Sequence, residues 1–297
     1  VRCFYHRDYF FPLPETHPFP MDKFWRAEAA IRAGAPPGRV RILDAEAAPL
    51  DELLRVHQPG YLEKIRTGAL SPLENMKLGL PAGEALLARS RLEAGGTLLA
   101  TAAALEDGLA ANLAGGTHHA HADRGLGYCV LNDVAIAARA HLARRPRDRI
   151  LVVDTDAHHG DGTAALFADD ERVFTYSIHV GRNYPALKPP GSLDVPLARW
   201  APGRDYLDQL EATLPPAVEE HRPDLVFWIS GADPHENDRF GQLRLRDEDL
   251  AARDAFVLEQ LARRRGLPTV LLYGGGYNRE REHTALLHAR SVLAAVR

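Results

Sequence analysis

Five short apolar runs, set between helical patterns, constrain this chain more than any other feature. They are residues 39–43 (RVRIL), 149–154 (RILVVD), 172–180 (RVFTYSIHV), 224–233 (DLVFWISGAD) and 268–276 (PTVLLYGGG). Bounded by turn residues and too short for helices, they read as strands buried on both faces. Helical periodicity covers residues 81–113, interrupted by Gly95-Gly96, then 132–145, 206–221, 247–265 and 279–296. Strand alternating with helix specifies an α/β fold, a mostly parallel sheet between two helical layers. No repeat or linker divides the pattern, so residues 1–297 are expected to form one catalytic domain. The Pro-rich entry and residues 184–202 lack periodicity and read as long loops of the kind that carry sites.

With 297 residues and 45% hydrophobic content, the chain can bury a large core. Neither a run of about 18 apolar residues nor a secretory pattern at the amino terminus is present, so the expectation is a cytoplasmic protein that does not enter a membrane. The only cysteines, Cys3 and Cys129, lack metal-site or disulfide spacing, leaving histidines and carboxylates as the available metal ligands. The formal charge of −4 and the absence of a long basic block argue against binding nucleic acid through its phosphates. The basic stretches at 144–149 and 263–265 fall at helix ends, where cations complement the helix dipole.

Four strand-end segments carry the chemistry. In LVVDTDAHHGDG (151–162) a hydrophobic strand runs into Asp154, Asp156, His158, His159 and Asp161. If the chain stays extended past Val153, the two-residue period puts Asp154, Asp156 and His158 on one side, where Asp156 and His158 can hold one ion. A second strand ends in Asp233, and open α/β sheets place ligand sites beyond the carboxyl ends of their strands. Asp156, His158 and Asp233 would leave a coordination position open, as in a catalytic zinc site. This oxygen-rich set also suits Fe2+ or Mn2+. AGGTHHAHADRGLGYCVLND (114–133) places Gly115-Gly116 before the pair His118 and His119. A neutral imidazole there can take a proton from water and return it to a leaving amine. His121 reads as a surface residue. LLYGGGYN (271–278) presents Tyr277, whose hydroxyl can stabilise an oxyanion.

In family order and approximate spacing, GGTHHAHADRGLGYCVLND, DTDAHHGDGTAALF, SGADPHENDRFG and GGGYN resemble the histone deacetylase superfamily, which includes acetylpolyamine amidohydrolases and acetoin-utilisation proteins. The likeness runs from about His17 to Asn278. HPF near His17 and DRFGQL after Asp238 look most like the class IV branch and its bacterial relatives.

The resemblance implies an arginase/deacetylase fold of about eight strands with one zinc at the sheet edge. It puts the metal on Asp156, His158 and Asp233, the paired bases on His118 and His119 with Asp154 and Asp161 behind them, and the catalytic tyrosine on Tyr277. It assigns the substrate amide to the carbonyl of Gly127 and the channel walls to Tyr128 and Tyr184. A K+ or Na+ ion is expected at Asp154, Asp156, Ser177 and the backbone oxygens of His158 and Ile178. The implied substrate is an acylated lysine or a small acylated amine such as an acetylpolyamine, with oligomeric state left open. Rival readings are an arginase-like hydrolase with two manganese ions and an inactive acyl-lysine binding module. One departure stands out. Family members directed to histones carry an acidic residue before the long helix that pins the peptide backbone, whereas LENMKLGLPAGEALLARS offers only Glu74 and Glu84 as candidates.

Overall fold

A computed structural model describes residues 1–296. Its centre is one eight-stranded sheet in the order β2-β1-β3-β8-β7-β4-β5-β6, with every neighbouring pair parallel. The strands are β1 (Arg2–Tyr5), β2 (Arg41–Asp44), β3 (Leu109–Asn112), β4 (Ile150–Asp154), β5 (Val173–Val180), β6 (Leu193–Leu197), β7 (Leu225–Ile229) and β8 (Thr269–Leu272). The helices are α1 (Lys23–Gly34), α2 (Leu50–Leu54), α3 (Pro59–Thr67), α4 (Pro72–Leu78), α5 (Glu84–Asp107), α6 (Asp133–Arg144), α7 (Asp161–Phe167), α8 (Gly203–His221), α9 (Asp247–Leu258) and α10 (Arg281–Ala294). α1, α10, α9 and α8 pack in series as one layer, while α3, α5, α6 and α7 form another. This is the three-layer αβα architecture expected from the alternation.

Burial follows position in the sheet, and β2, expected from its apolar run to be buried on both faces, is instead an edge strand. β4, β7 and β8 are buried at every residue, as an unbroken apolar run requires in the middle of a sheet. The edge strand β2 has no buried residue. Three strands escaped the apolar-run reading: β1, β3 and β6. β3 (LAAN) lies inside the stretch 81–113 expected to be helical, and β6 lies inside the expected loop 184–202. Strands of four or five residues rich in Ala or carrying Pro show no period to detect.

Gly95-Gly96 was expected to interrupt the long helix, but α5 passes through both without a break. A Cβ on Gly95 would lie 1.7 Å from the carbonyl oxygen of Glu46, and Ala48 donates its N–H to the Arg91 carbonyl at 2.8 Å. The glycine is there because another backbone rests on the helix.

The chain crosses between β3 and β4 with β8 and β7 inserted between them, a reversal that opens a crevice at the carboxyl ends of the central strands. Register aligns these ends, with Asp154 opposite Ile229 and Ile229 opposite Leu272. The segments leaving β3, β4, β7 and β8 are the four singled out in the sequence. Among the described residues, no helix is long and apolar enough to cross a membrane.

Candidate active site

β4 ends at Asp154, and the chain then bends instead of staying extended. Asp156 and His158 therefore converge through the bend and not through strand alternation, which corrects the geometric expectation while retaining its residues. His158 Nδ1 lies 3.1 Å from Asp156 Oδ1 and 2.8 Å from Asp233 Oδ2. Asp233 Oδ1 accepts the Ala157 N–H at 2.8 Å, and Asp156 Oδ2 accepts that of Gly275 at 2.6 Å. Ligand atoms of the three residues all lie within 4.8 Å of one another, and all three residues are buried.

The donor chemistry fits a divalent ion. His158 turns Nδ1 toward both carboxylates and faces the Phe240 carbonyl with Nε2 at 3.2 Å. An Nε2–H donated to that carbonyl leaves the Nδ1 lone pair free for a metal, the outer-sphere arrangement usual for a metal-bound imidazole. Two carboxylates, one imidazole and an open side match a catalytic site.

The paired histidines stand beside this set with ring centroids 4.1 Å apart. His118 Nδ1 meets Asp154 Oδ2 at 2.6 Å, and His119 Nδ1 meets Asp161 Oδ1 at 2.6 Å. Their environments push the two rings apart. Burial opposes charge on His118, but Asp154 and Asp156 outweigh it and raise the imidazole to about 9. Burial and then the neighbouring His118 lower His119 to about 4. The surrounding carboxylates thus favour the charged form of His118, while burial favours the neutral form of His119. His121 is not a surface residue: it is buried, and its Nε2 meets Asp161 Oδ2 at 2.9 Å. Its partner lies 40 positions away, which hides the role from local reading.

Tyr277 borders both an outer cavity of about 320 Å³ and an inner one of about 30 Å³ that reaches Asp156, His158 and Asp233. Burial raises its phenol well above the ordinary value, so the hydroxyl keeps its proton and is a donor. Gly127, Tyr128 and Tyr184 line the outer cavity. Gly127 has φ +52, and a Cβ there would come within 2.8 Å of the His119 ring and 3.0 Å of Tyr184. The structure therefore brings together all the residues expected for the metal, the bases, the tyrosine and the channel. Asp154 and Ser177, expected around a monovalent cation, face each other across β4 and β5 and line one small cavity.

Several supporting groups went unread in the sequence. Asp238 accepts the Tyr277 N–H at 2.6 Å and those of Phe240 and Gly241 at 2.8 and 3.0 Å, tying the tyrosine loop to the segment after β7. Asp133 accepts from Gly116 and Thr117 at 3.1 and 2.8 Å, fixing the start of the histidine segment. The buried Lys23 donates to the Gly274 carbonyl at 3.0 Å, and burial lowers its ammonium to about 8. An Asp in the turn-type stretch HENDRFG (235–241) was the one available cue for Asp238.

His235, Asp247 and His283 also converge. There, however, His235 Nδ1 accepts the Asn237 N–H at 3.2 Å, so Nε2 carries the hydrogen and donates to Asp247 at 3.1 Å. Arg290 holds the other oxygen of Asp247. This is a hydrogen-bonded brace beneath the tyrosine loop, not an open metal cage.

Residues 17–293 match the histone deacetylase domain family. An uncharacterized protein of Picosynechococcus sp. is 39% identical over 273 residues, covering 92% of this chain and 91% of the relative. The acetoin utilization protein AcuC of Staphylococcus aureus (strain MRSA252) is 32% identical over 263 residues, covering 80% and 67%. Histone deacetylase 2 of Arabidopsis thaliana is 29% identical over 279 residues, covering 90% and 71%. Among solved structures, that of an HDAC homolog complexed with SAHA is 25% identical and superposes with a TM-score of 0.82, covering 99% of this chain and 84% of that one.

Proposed function

Because the chain belongs to the histone deacetylase family, we propose that it is a zinc-dependent amidohydrolase that removes an acyl group from a lysine side chain or a similar amine. The observation that carries this reading is the convergence of Asp156, His158 and Asp233 beside two adjacent buried histidines, each bonded to its own carboxylate. In this proposal residues 1–297 form one catalytic domain acting in the cytoplasm.

When bound, the ion polarises the acyl carbonyl and acidifies a water, which is the chemistry the three ligands would support. Zn2+ is our assignment, with Fe2+ or Mn2+ compatible with the same donors. His119, neutral and turned into the cavity, takes the water's proton and returns it to the leaving nitrogen. Asp161 holds its Nδ1–H and so presents Nε2 as the base. His118, bonded to Asp154 through Nδ1, supplies hydrogen-bonding and electrostatic support beside it. Tyr277 donates its hydroxyl to the oxyanion. Tyr128 and Tyr184 enclose the aliphatic stem, and the Gly127 carbonyl accepts the substrate amide N–H. A K+ or Na+ ion is proposed at Asp154, Asp156, Ser177 and the backbone of His158 and Ile178. Asp154 and Asp161 are already bound to His118 and to His119 and His121, which disfavours the two-manganese alternative. The HPF and DRFG segments keep the class IV branch as our placement.

The test measures metal content and hydrolysis of a capped Nε-acetyl-lysine by wild type and Asp233→Ala. The wild type is expected to hold one ion per chain, lose activity to a chelator and regain it with Zn2+. Asp233→Ala is expected to fold but retain neither metal nor activity. Stoichiometric zinc in that variant would overturn the ligand assignment, and a metal-loaded wild type inert toward every acyl-amine offered would overturn the reaction.

A further inference from the structure

The mouth of the outer cavity carries positive charge that no carboxylate among its lining residues offsets. Besides histidine, the only ionisable acid or base side chains along its wall that carry formal charge are Lys77 and Arg239, and no aspartate or glutamate lines it. Both residues are exposed. Among the described residues, neither has a carboxylate within ion-pair distance. The chain as a whole is acidic, with a formal charge of −4, so a cationic mouth is not a by-product of a basic surface.

The backbone that carries each cation is also tied to the channel. Gly127 donates its N–H to the Lys77 carbonyl at 3.0 Å, and Arg239 donates its own N–H to the Tyr277 carbonyl at 3.4 Å. Each charge thus rides on a segment that clamps one channel wall. Asp238, next to Arg239, is buried and accepts the N–H groups of Tyr277, Phe240 and Gly241, and neither it nor Glu236 lines the cavity. The two acids nearest Lys77 in sequence are spent elsewhere as well. Glu74 closes the capping box of α4 with Ser71 and accepts from Lys64 at 2.9 Å. Glu84 lies 3.8 Å from Arg66, and neither glutamate reaches the cavity. Neither Glu74 nor Glu84 therefore supplies a backbone-pinning carboxylate at the mouth, and the charged side chains that line it are cationic.

We propose that the mouth selects acylated amines carrying an anionic group beyond the aliphatic stem, and disfavours polycationic ones such as acetylpolyamines or Lys-rich peptides. The anion could belong to an acidic residue flanking an acyl-lysine or to the free α-carboxylate of a small acylated amino acid. Like-charge juxtaposition rejects the wrong substrate as effectively as attraction retains the right one. This inference rests on the deacylase reading for its stem and acyl contacts, but not for its charge argument.

The experiment measures both binding and turnover on the metal-loaded full chain. Fluorescent Nε-acetyl-lysine peptides of equal length, flanked by Asp, by Gly or by Lys, are titrated for Kd and assayed for kcat/KM. A capped Nε-acetyl-lysine with a free α-carboxylate, its amidated counterpart and an acetylpolyamine complete the set. Each exposed ion pair typically contributes a factor of a few, so the acidic peptide is expected to bind about tenfold more tightly than the basic one at low salt. That ratio is expected to shrink as salt rises from about 0.01 M to 0.15 M and the screening length falls from about 30 to about 8 Å. In the double variant Lys77→Glu, Arg239→Glu the order is expected to reverse, a ratio taken within one variant and so independent of its absolute activity. The carboxylate and amide pair separates a small-molecule anion from a peptide one.

Equal binding of acidic and basic peptides by wild type, or an unchanged preference in the double variant, overturns the inference. Turnover without charge preference leaves the deacylase reading intact. Charge-selective binding without turnover removes that reading and leaves this one standing.

Discussion

His118 and His119 are adjacent, equally buried and each bonded to a carboxylate at 2.6 Å, yet their chemistry differs. The difference comes from a third charge. Asp156 adds to Asp154 around His118, whereas the nearest extra charge around His119 is His118 itself. A base must be neutral before it can take a proton, and burial, which lowers His119, favours that ring for the task. His119→Ala is expected to lower kcat by about 100-fold to 10,000-fold, the usual worth of a general acid-base, and by more than His118→Ala does. Equal losses in steady-state kinetics would mean the two rings share the proton transfers.

α5 shows how an element's sequence can mislead and still be explained. Two consecutive glycines cost helix stability and ordinarily mark an end, but here the helix continues because the Glu46 to Ala48 backbone lies against it. The sign of one substitution separates the two meanings. At a helix glycine with free space, Gly→Ala stabilises by about 0.5–1 kcal/mol. Gly95→Ala is instead expected to destabilise by roughly 1–3 kcal/mol, since a methyl 1.7 Å from a carbonyl oxygen forces backbone to move. Urea unfolding of the two proteins decides it, and a gain in midpoint would refute the packing argument. The same element accounts for the hidden strand: Leu109–Asn112 follows α5 after a single residue, Gly108, and its Ala-rich sequence extends the helical pattern.

At the scale of the whole molecule, buried histidines outside the site set an acid limit on stability. His57 accepts the Asn132 N–H at 3.0 Å through Nε2, and burial lowers its imidazole to about 4. Burial, and then the charge on His159, bring His179 to about 4 as well. The unfolded chain takes up a proton at each near pH 6.5, while the folded chain resists until about pH 4. Between these values the unfolded state holds more protons at these two sites, so the stability they contribute falls as pH falls, by a few kcal/mol over the window for such a shift. Asp233 and Asp238, raised by burial to about 7 and about 6, act in the opposite sense. From pH 7 to 4.5 the thermal or urea midpoint of the wild type is expected to drop relative to that of His57→Gln, which keeps an acceptor but cannot titrate. Parallel slopes for wild type and variant would exclude His57 as a source of the acid sensitivity.

Local chemistry made much of the site legible, because the histidine pair, the Asp-x-His ligands, Asp233 and Tyr277 each sit within a contiguous segment at the end of a buried strand. The alternation of such strands with helices was enough for the layered architecture and for the parallel sheet. What it could not convey was pairing across the chain. Asp238 reaches Tyr277 across 39 positions, His121 reaches Asp161 across 40, and Lys23 reaches Gly274 across 251. Hydrogen bonds of that span depend on how the strands are ordered in the sheet, and no periodicity records that order. The charges at the cavity mouth belong to the same class: Lys77 and Arg239 are ordinary surface residues in sequence, and only the fold sets them on one wall. Residue type decided which chemistry was available, and tertiary structure decided which atoms met, because a reactive geometry is a property of distances between segments.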